Sequence, residues 1–573
     1  MAQSTTAVQP ASTRPQARDP LTRSEARRWW VLAVMSVGTL IVFLDDTVVN
    51  TALPRISVAL HASTSGLQWV IDAYVLVLAG LLLLGGSLGD RYGRKRVMTI
   101  GLVAFGCASA GAALSRSIGM LVTMRTLQGL GAALVLPATL SIITNVFPRN
   151  ERARAIAVWT AIGGIGIGLG PALGGYLVDA ASWSAVFWLQ IPIVLAALAG
   201  MVVVPESRDK RHLRLDVPGA VLGTSGLAVL VYGIIRGGEA GWGATTVIGC
   251  FGVAAVLLIA FAIVEARATN PMLPMRFFRE RDFTGAVLVI GIVLFAMFVT
   301  FFFLTQFFQL VQGRSAFEAG LLIVPTSIAM IIGSGLAARL IHAIGPRLLA
   351  LAMTGAMTIG LVLLMALTPT STTFQIITAL LIFGFGAGLG LPALTDTVMA
   401  AVPERDAGVG SAVNDVSRQL GGALGVAVIG SIVNSAYRHR LDRALGRRLP
   451  STVLQSAGRS IGVATQVART LPGGLATTLT HAANRAFVDA ITGGFLISAV
   501  VMIASITVAA TMLPRRMRTA QAAADDDEEA QPPKSMPIAG IELEPVAPDY
   551  GTSSHTITPG AVSSAVRGGD RGK

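Results

Sequence analysis

Residues 125–175 read RTLQGLGAALVLPATLSIITNVFPRNERARAIAVWTAIGGIGIGLGPALGG, two apolar helical segments around a short basic turn. A copy lies 255 residues downstream without a gap. Gly129, Gly131, Ala132, Leu134, Leu136 and Pro137 recur as Gly384, Gly386, Ala387, Leu389, Leu391 and Pro392. Pro148 recurs as Pro403, and Gly166, Gly170 and Gly175 recur as Gly421, Gly425 and Gly430. Low complexity scatters glycines; it does not hold one offset across a turn. The chain therefore carries a duplicated helix hairpin, and when such a hairpin is this apolar the duplication follows the plan of secondary transporters.

Hydrophobic residues make up 53% of the chain and charged residues 13%, which implies an all-α integral membrane protein. A spanning helix needs about 20 apolar residues, and by that measure there are fourteen: 30–53, 67–89, 97–115, 119–146, 153–178, 183–204, 217–236, 244–265, 283–311, 319–341, 348–368, 374–400, 409–435 and 486–513. The net charge of +13 does not signal nucleic acid, because the basic residues sit in short loops. Those after even-numbered segments (91–96, 149–154, 208–214, 276–281) are basic, which places both termini in the cytoplasm. Residues 436–485 are read as an external loop that escapes the charge rule and holds surface helices. The polar stretches 1–28 and 514–573, the latter with the acidic run DDDEEA, are read as disordered tails. The repeated hairpin falls on segments 4–5 and 12–13. That spacing divides the chain into a six-helix half (29–204), an inserted pair (217–265) and a second six-helix half (283–513). Cys107 and Cys250 lie in different apolar segments and suggest neither a disulfide nor a metal site.

Three motifs add chemistry. GSLGDRYGRKR (86–96) turns between segments 2 and 3. There Gly86 and Gly93 permit close packing and a tight turn, and Asp90 can pair with Arg91, Arg94 or a partner in the other half. GGIGIGLGPALGG (163–175) puts Gly166, Gly170 and Gly174 on one helix face beside Pro171, a hinge or sealing surface between the halves. Segment 9 carries Phe295, Phe298, Phe301, Phe302, Phe303, Phe307 and Phe308, read mostly as lipid-facing, with Gln306 and Gln309 turned toward the bundle.

GSLGDRYGRKR resembles the helix 2–3 loop motif of the major facilitator superfamily, and GLGPALGG resembles the antiporter motif of its drug exporters. RTLQGLGAA (125–133) resembles the helix 4 motif, and LDDTVVNTALP (44–54) the helix 1 motif of the fourteen-helix drug:proton antiporters of the QacA/EmrB type. The resemblance covers residues 29–513. It departs from the family at WSAVFWLQIP (183–192), which lacks the Arg and Asn of the family's WRWIFxINxP. The second-half counterpart of the loop motif is reduced to Gly335, Arg339, Gly345 and Arg347. The resemblance implies a major facilitator fold, two six-helix halves plus two inserted helices, with export of organic compounds driven by protons.

Counting along the segments puts Asp45, Asp46, Asp72 and Arg125 in one layer of the outer part of the first half. The position matching Arg125 in the second half is Leu380. A charge in lipid costs about 3 kcal/mol or more unless paired or wet, so these side chains are read as facing the interior. Burial favours the neutral acid and a neighbouring Arg the carboxylate, so a carboxylate there can couple proton uptake to opening. The resemblance assigns such a role to Asp45 and Arg125. Asp46 and Asn50 share a helix face, and Asn50, Gln128, Gln306 and Gln309 are candidates to line a substrate cavity. Expected partners are a small lipophilic or cationic organic substrate, protons and the bilayer of the cell membrane. The chain needs no cofactor or metal, binds no nucleic acid and works as a monomer. It shows no nucleophile motif or nucleotide loop of an enzyme. Rival readings are a proton-coupled exporter of an endogenous lipid or secondary metabolite, and an importer on the same fold.

Overall fold

Side-chain caps set many of the helix ends. Ser63, Ser117 and Thr372 accept from the backbone N–H three residues on, Asp216 does the same for Gly219, and Ser315 forms a capping box with Glu318. The structure, a computed structural model, describes residues 20–208, 216–268, 275–402, 407–446 and 448–515. Most of both tails and of the turn 208–214 lies outside the described residues, as do Pro403 and Arg447.

The first half comprises α1 (Pro20–Ala59), α2 (Thr64–Tyr92), α3 (Arg94–Ala113), α4 (Ile118–Val146), α5 (Arg149–Ala180), α6 (Ala185–Trp188) and α7 (Gln190–Gly200). The inserted pair is α8 (Val217–Ala240) and α9 (Thr245–Arg267). The second half comprises α10 (Arg281–Gln306), α11 (Ala316–Leu364), α12 (Thr373–Ala400), α13 (Ala407–Leu445), α14 (Ser451–Ala457), α15 (Ile461–Thr470) and α16 (Gly473–Met512). Among the described residues thirteen helices are long and apolar enough to cross a membrane, α11 supplying two as Ala316–Ile341 and Ala343–Leu364. Gly345, at φ 78°, breaks α11 where Gly93, at φ 109°, separates α2 from α3; both sit in the left-handed region that glycine tolerates.

Three expectations are corrected, and the helices expected within 436–485 are given their bounds. Residues 20–28 are helical, with Arg27 donating to the Val203 carbonyl (3.2 Å) and Arg28 paired with Glu151 (3.6 Å). The sixth segment is a short apolar stretch, Ala185–Gly200, split between α6 and α7. Its Pro192 falls in the first turn of α7, where no backbone N–H is needed. Residues 436–485 are largely helical: α13 and α16 extend into them, and α14 and α15 lie between. Phe302 and Phe303 of α10, and Phe307 and Phe308 in the π-helical turn Phe307–Val311 that follows it, are buried, α10 packing against α13, α16 and α12.

The duplication in sequence is a duplication in packing. A Cβ on Gly129 would lie 2.5 Å from the Tyr74 carbonyl of α2, and one on Gly384 2.3 Å from the Thr326 carbonyl of α11. Gly131 meets α3, and Gly386 meets the second part of α11. Gly175 of α5 touches Ala316 of α11, while its copy Gly430 in α13 touches Gln68 of α2. The halves thus meet along two equivalent seams, α5–α11 and α13–α2. The inserted helix α8 packs on both α2 and α13, where Ser431 donates to the Ile234 carbonyl (2.8 Å) and Ser65 to the Glu239 carboxylate. α9 packs on α8 and exposes Ile248, Val253, Val256 and Ile259.

Candidate proton and substrate sites

α1 and α7 each bring one polar side chain, and α4 two, to the same buried point. Asp45 is wholly buried and Arg125 is 2% exposed; Arg125 Nη1 lies 2.5 Å from Asp45 Oδ2. The same guanidinium donates to Gln128 Oε1 (3.1 Å) and, through Nε, to the Val70 carbonyl (2.9 Å), and it lies over the Tyr74 ring with Cζ 4.2 Å from the centroid. Gln128 Nε2 donates to Ser109 Oγ and to Gln190 Oε1, both at 2.8 Å, and Gln190 Nε2 returns to Asp45 Oδ1 at 2.5 Å. The hydrogen bonds close a ring, Asp45–Arg125–Gln128–Gln190–Asp45. A buried ion pair requires such satisfaction of its remaining donors and lone pairs.

Gln190 and Ser109 were not singled out from the sequence. Gln190 stands where the family pattern WRWIFxINxP carries Asn, so the departure keeps the amide and lengthens it by one methylene. Gln190 lies in the first turn of α7, two residues before Pro192.

The other two acids stand apart from the ring. Asp46 accepts from Gln419 Nε2 of α13 at 3.2 Å, a contact between the halves. Asp72 is fully buried in α2, and neither carboxylate oxygen has a hydrogen-bond partner among the described residues.

The loop motif docks within its own half. Arg94 pairs with Asp90 (2.8 Å) and donates to the Ser141 carbonyl (3.3 Å). Glu206 accepts from the Lys95 backbone N–H (3.1 Å), and the Ser207 carbonyl accepts from that of Arg94 (3.0 Å). Arg91 is exposed and lies beside Tyr92. Gly86 faces Pro137 of α4.

The antiporter stretch divides its work. Gly166, Gly170 and Gly174 all face α1, at Leu40, Thr47 and Thr51, and not the other half. The seam between the halves is made instead by Pro171 and Gly175: a Cβ on Gly175 would lie 2.2 Å from the Ala316 carbonyl, and one on Gly320 2.2 Å from the Pro171 carbonyl. At Gly168 the nearest seam atom, on Ser327, is 3.6 Å away. The seam therefore tightens toward the end of the molecule that bears α14 and α15. At that end Asp179 accepts from the backbone N–H groups of Ala316 (3.1 Å) and Phe317 (2.7 Å), at the α11 N-terminus, where a helix favours an anion. Gln309 Nε2 donates to the Thr51 carbonyl (2.8 Å), and Gln68 Nε2 to the Val426 carbonyl (2.9 Å). α15 covers the same end: Ser460 bonds Ser57 (3.2 Å), and Thr64 N–H donates to the Arg459 carbonyl (3.0 Å).

Below this closure lies a cavity of about 540 Å³, including the space at its mouth. Its walls come from α1, α5, α10, α11 and α12, with Asn50, Met297, Phe301, Thr326, Met330 and Phe383 among them. Of the four cavity candidates only Asn50 is on this wall. Gln128 belongs to the ion-pair ring, Gln306 donates to the Phe302 carbonyl of its own helix (3.2 Å), and Gln309 seals the closed end.

Two repeated helical halves, a cavity between them and a buried ion pair in one half give the architecture of a polytopic membrane transporter. Residues 35–426 match the Major Facilitator Superfamily, and the chain belongs to that superfamily. It is 36% identical over 418 residues to a puromycin resistance protein of Streptomyces alboniger, covering 72% of this chain and 83% of that one. It is 32% identical to the tetracenomycin C resistance and export protein of Streptomyces glaucescens (86% and 93% covered) and 33% identical to the multidrug efflux pump LfrA of Mycolicibacterium smegmatis (85% and 96%). The fold matches that of a bacterial homologue of the human lysosomal transporter Spinster, with a TM-score of 0.61 and 18% identity over 86% of this chain and 99% of that one.

Proposed function

We propose that this chain exports organic compounds, of the multidrug or antibiotic kind, from the cell in exchange for protons. The observation that carries the reading is the closed ring around Asp45 and Arg125. A buried carboxylate whose neutralisation would break an ion pair and free two amides can couple protonation to a conformational change. The names of the relatives, resistance and efflux proteins, support organic substrates. In this reading the end covered by α15 faces outward, both termini are cytoplasmic in the cell membrane, and the divisions 29–204, 217–265 and 283–513 are the working units. The duplication supplies both halves of one pathway, which supports a functional monomer.

The cycle then runs as follows. Substrate enters the form that is closed at the α15 end and open toward the basic turn. Opening of the closed end exposes Asp45 to external protons, protonation releases Arg125 and with it the substrate, and the return delivers the proton inside. The names of two relatives each specify one compound, puromycin and tetracenomycin C, which favours a narrow substrate range as the second reading. The test is proton release from respiring inverted vesicles, read by a pH dye, for wild type and Asp45→Asn. Gradient collapse on adding an organic cation, present in wild type and absent in the mutant, is the expected result. An equal response in both would remove Asp45 from coupling.

A further inference from the structure

Hydrogen-bond accounting within the cavity points to what it selects. Thr47 and Thr51 spend their hydroxyls on carbonyls of α1, at 3.2 Å to Leu44 and 2.7 Å to Val48. Asn50 spends its Nδ2 on the Asp46 carbonyl at 3.0 Å. That bond fixes the orientation of the amide, since only the nitrogen can donate. Asn50 Oδ1 is left buried and has no partner among the described residues; the same holds for Thr326 Oγ1, on a side chain 3% exposed. Both residues line the cavity, Asn50 from α1 in one half and Thr326 from α11 in the other. The wall also includes Phe301, Phe383, Met297 and Met330, and no lining residue is charged. An amide oxygen only accepts, so Asn50 sets the demand for a donor, while the Thr326 hydroxyl can accept or donate and adds to it. A buried acceptor left unpaired costs about 1–3 kcal/mol, and a ligand that supplies a donor recovers it.

We propose that Asn50 and Thr326 are the specificity-determining pair of this cavity. They select lipophilic, ring-bearing molecules that present an N–H or O–H donor, over equally lipophilic molecules that present none. The pair deepens the export reading and rests on it only for the direction of transport, because binding is measured separately. A site of this kind discriminates by leaving its own buried polar group unpaired when the donor is missing.

Two xanthene dyes provide a matched probe. Rhodamine 6G carries two secondary-amine N–H donors; tetramethylrhodamine ethyl ester has the same xanthylium core, the same ester and the same number of N-alkyl carbons, but tertiary amines with no N–H, so that apart from the donors the two differ only by two ring methyl groups, whose effect Asn50→Leu leaves in place. Binding to the full-length protein in lipid nanodiscs is followed by fluorescence anisotropy, and export by vesicle assay. Wild type is expected to prefer rhodamine 6G by about tenfold in Kd. Asn50→Leu should remove that preference while leaving the second dye within about twofold, and Thr326→Val should reduce the preference by about threefold. Thr326→Ser, which keeps the hydroxyl, should retain it and controls for folding. Equal wild-type affinity for both dyes, or equal loss of both in Asn50→Leu, overturns the proposal. If the preference is present but neither dye is exported, the site stands and the export reading falls. If both bind with equal affinity and both are exported, the reverse holds.

Discussion

Gln128 and Phe383 are 255 residues apart and sit on α4 and α12, at matching places in the two copies of the hairpin. Gln128 closes the ring around an ion pair, while Phe383 is wall of the apolar cavity. Three residues earlier the contrast repeats, Arg125 against Leu380, and Leu380 is fully buried. The glycines that let these helices approach their neighbours are kept in both copies; the polar chemistry is kept in one. Packing of two similar halves demands small residues at fixed places in each. A single charge switch needs only one half, and a second buried ion pair would add desolvation cost without adding function. The division leaves the second half free to supply Phe301, Phe383, Met297, Met330 and Thr326 to the cavity.

The largest break in this comparison comes from making the first half like the second. Arg125→Leu leaves Asp45 buried with Gln190 as its remaining partner in the ring, and removing one member of a buried pair costs about 3–5 kcal/mol. Thermal unfolding in detergent should fall markedly. Asp45→Asn combined with Arg125→Leu should recover most of that loss, because no uncompensated charge remains, while proton-coupled export stays absent. If the double variant is no more stable than Arg125→Leu, the ring is not held by the pair, and the contrast between the halves loses its electrostatic basis.

A smaller effect sharpens the packing side. A Cβ on Gly425 would lie 2.5 Å from the Phe295 carbonyl, and one on Gly170 1.9 Å from Thr47 Oγ1. The second distance is shorter, yet the Thr47 side chain can rotate and the Phe295 backbone cannot move alone. Gly425→Ala should therefore destabilise by about 1–3 kcal/mol, as overpacking does, and Gly170→Ala by less. Folded yield after detergent extraction gives the order. The reverse order would mean that the α1–α5 contact is the more rigid of the two.

Much of this was legible in the sequence, because spacing reports faces and lengths. The repeat, the spans, the tight turn at Gly93 and the shared face of Gly166, Gly170 and Gly174 all follow from period and residue type. Spacing does not say which neighbour a face meets, so the three glycines were assigned to the seam between the halves when they meet α1. Depth placed Asp45, Asp46, Asp72 and Arg125 in one layer, but azimuth separates them: Asp45 meets Arg125, Asp46 meets Gln419, and Asp72 has no hydrogen-bond partner among the described residues. Asp179 had a usable signal, an acid at the end of an apolar span; its role needed the α11 N-terminus, 137 residues away, to be in view.

The smallest expected effect concerns Gln190, where the family pattern carries Asn. Its two amide atoms bond Asp45 and Gln128 across the ring, and the side chain is fully buried. Gln190→Asn keeps both functions on a shorter stem, so the ring can close with longer hydrogen bonds. Coupled export should fall by no more than about threefold, since a strained hydrogen bond forfeits part of a term worth about 0.5–1.5 kcal/mol. Gln190→Leu has a similar volume but satisfies neither neighbour, and should cost about tenfold or more. Initial rates of substrate-dependent proton release, compared at equal expression, separate the two. If Asn and Leu are equally damaging, the length of the side chain and not its amide closes the ring. The departure from the family pattern would then reflect a different spacing between α1 and α7 in this chain.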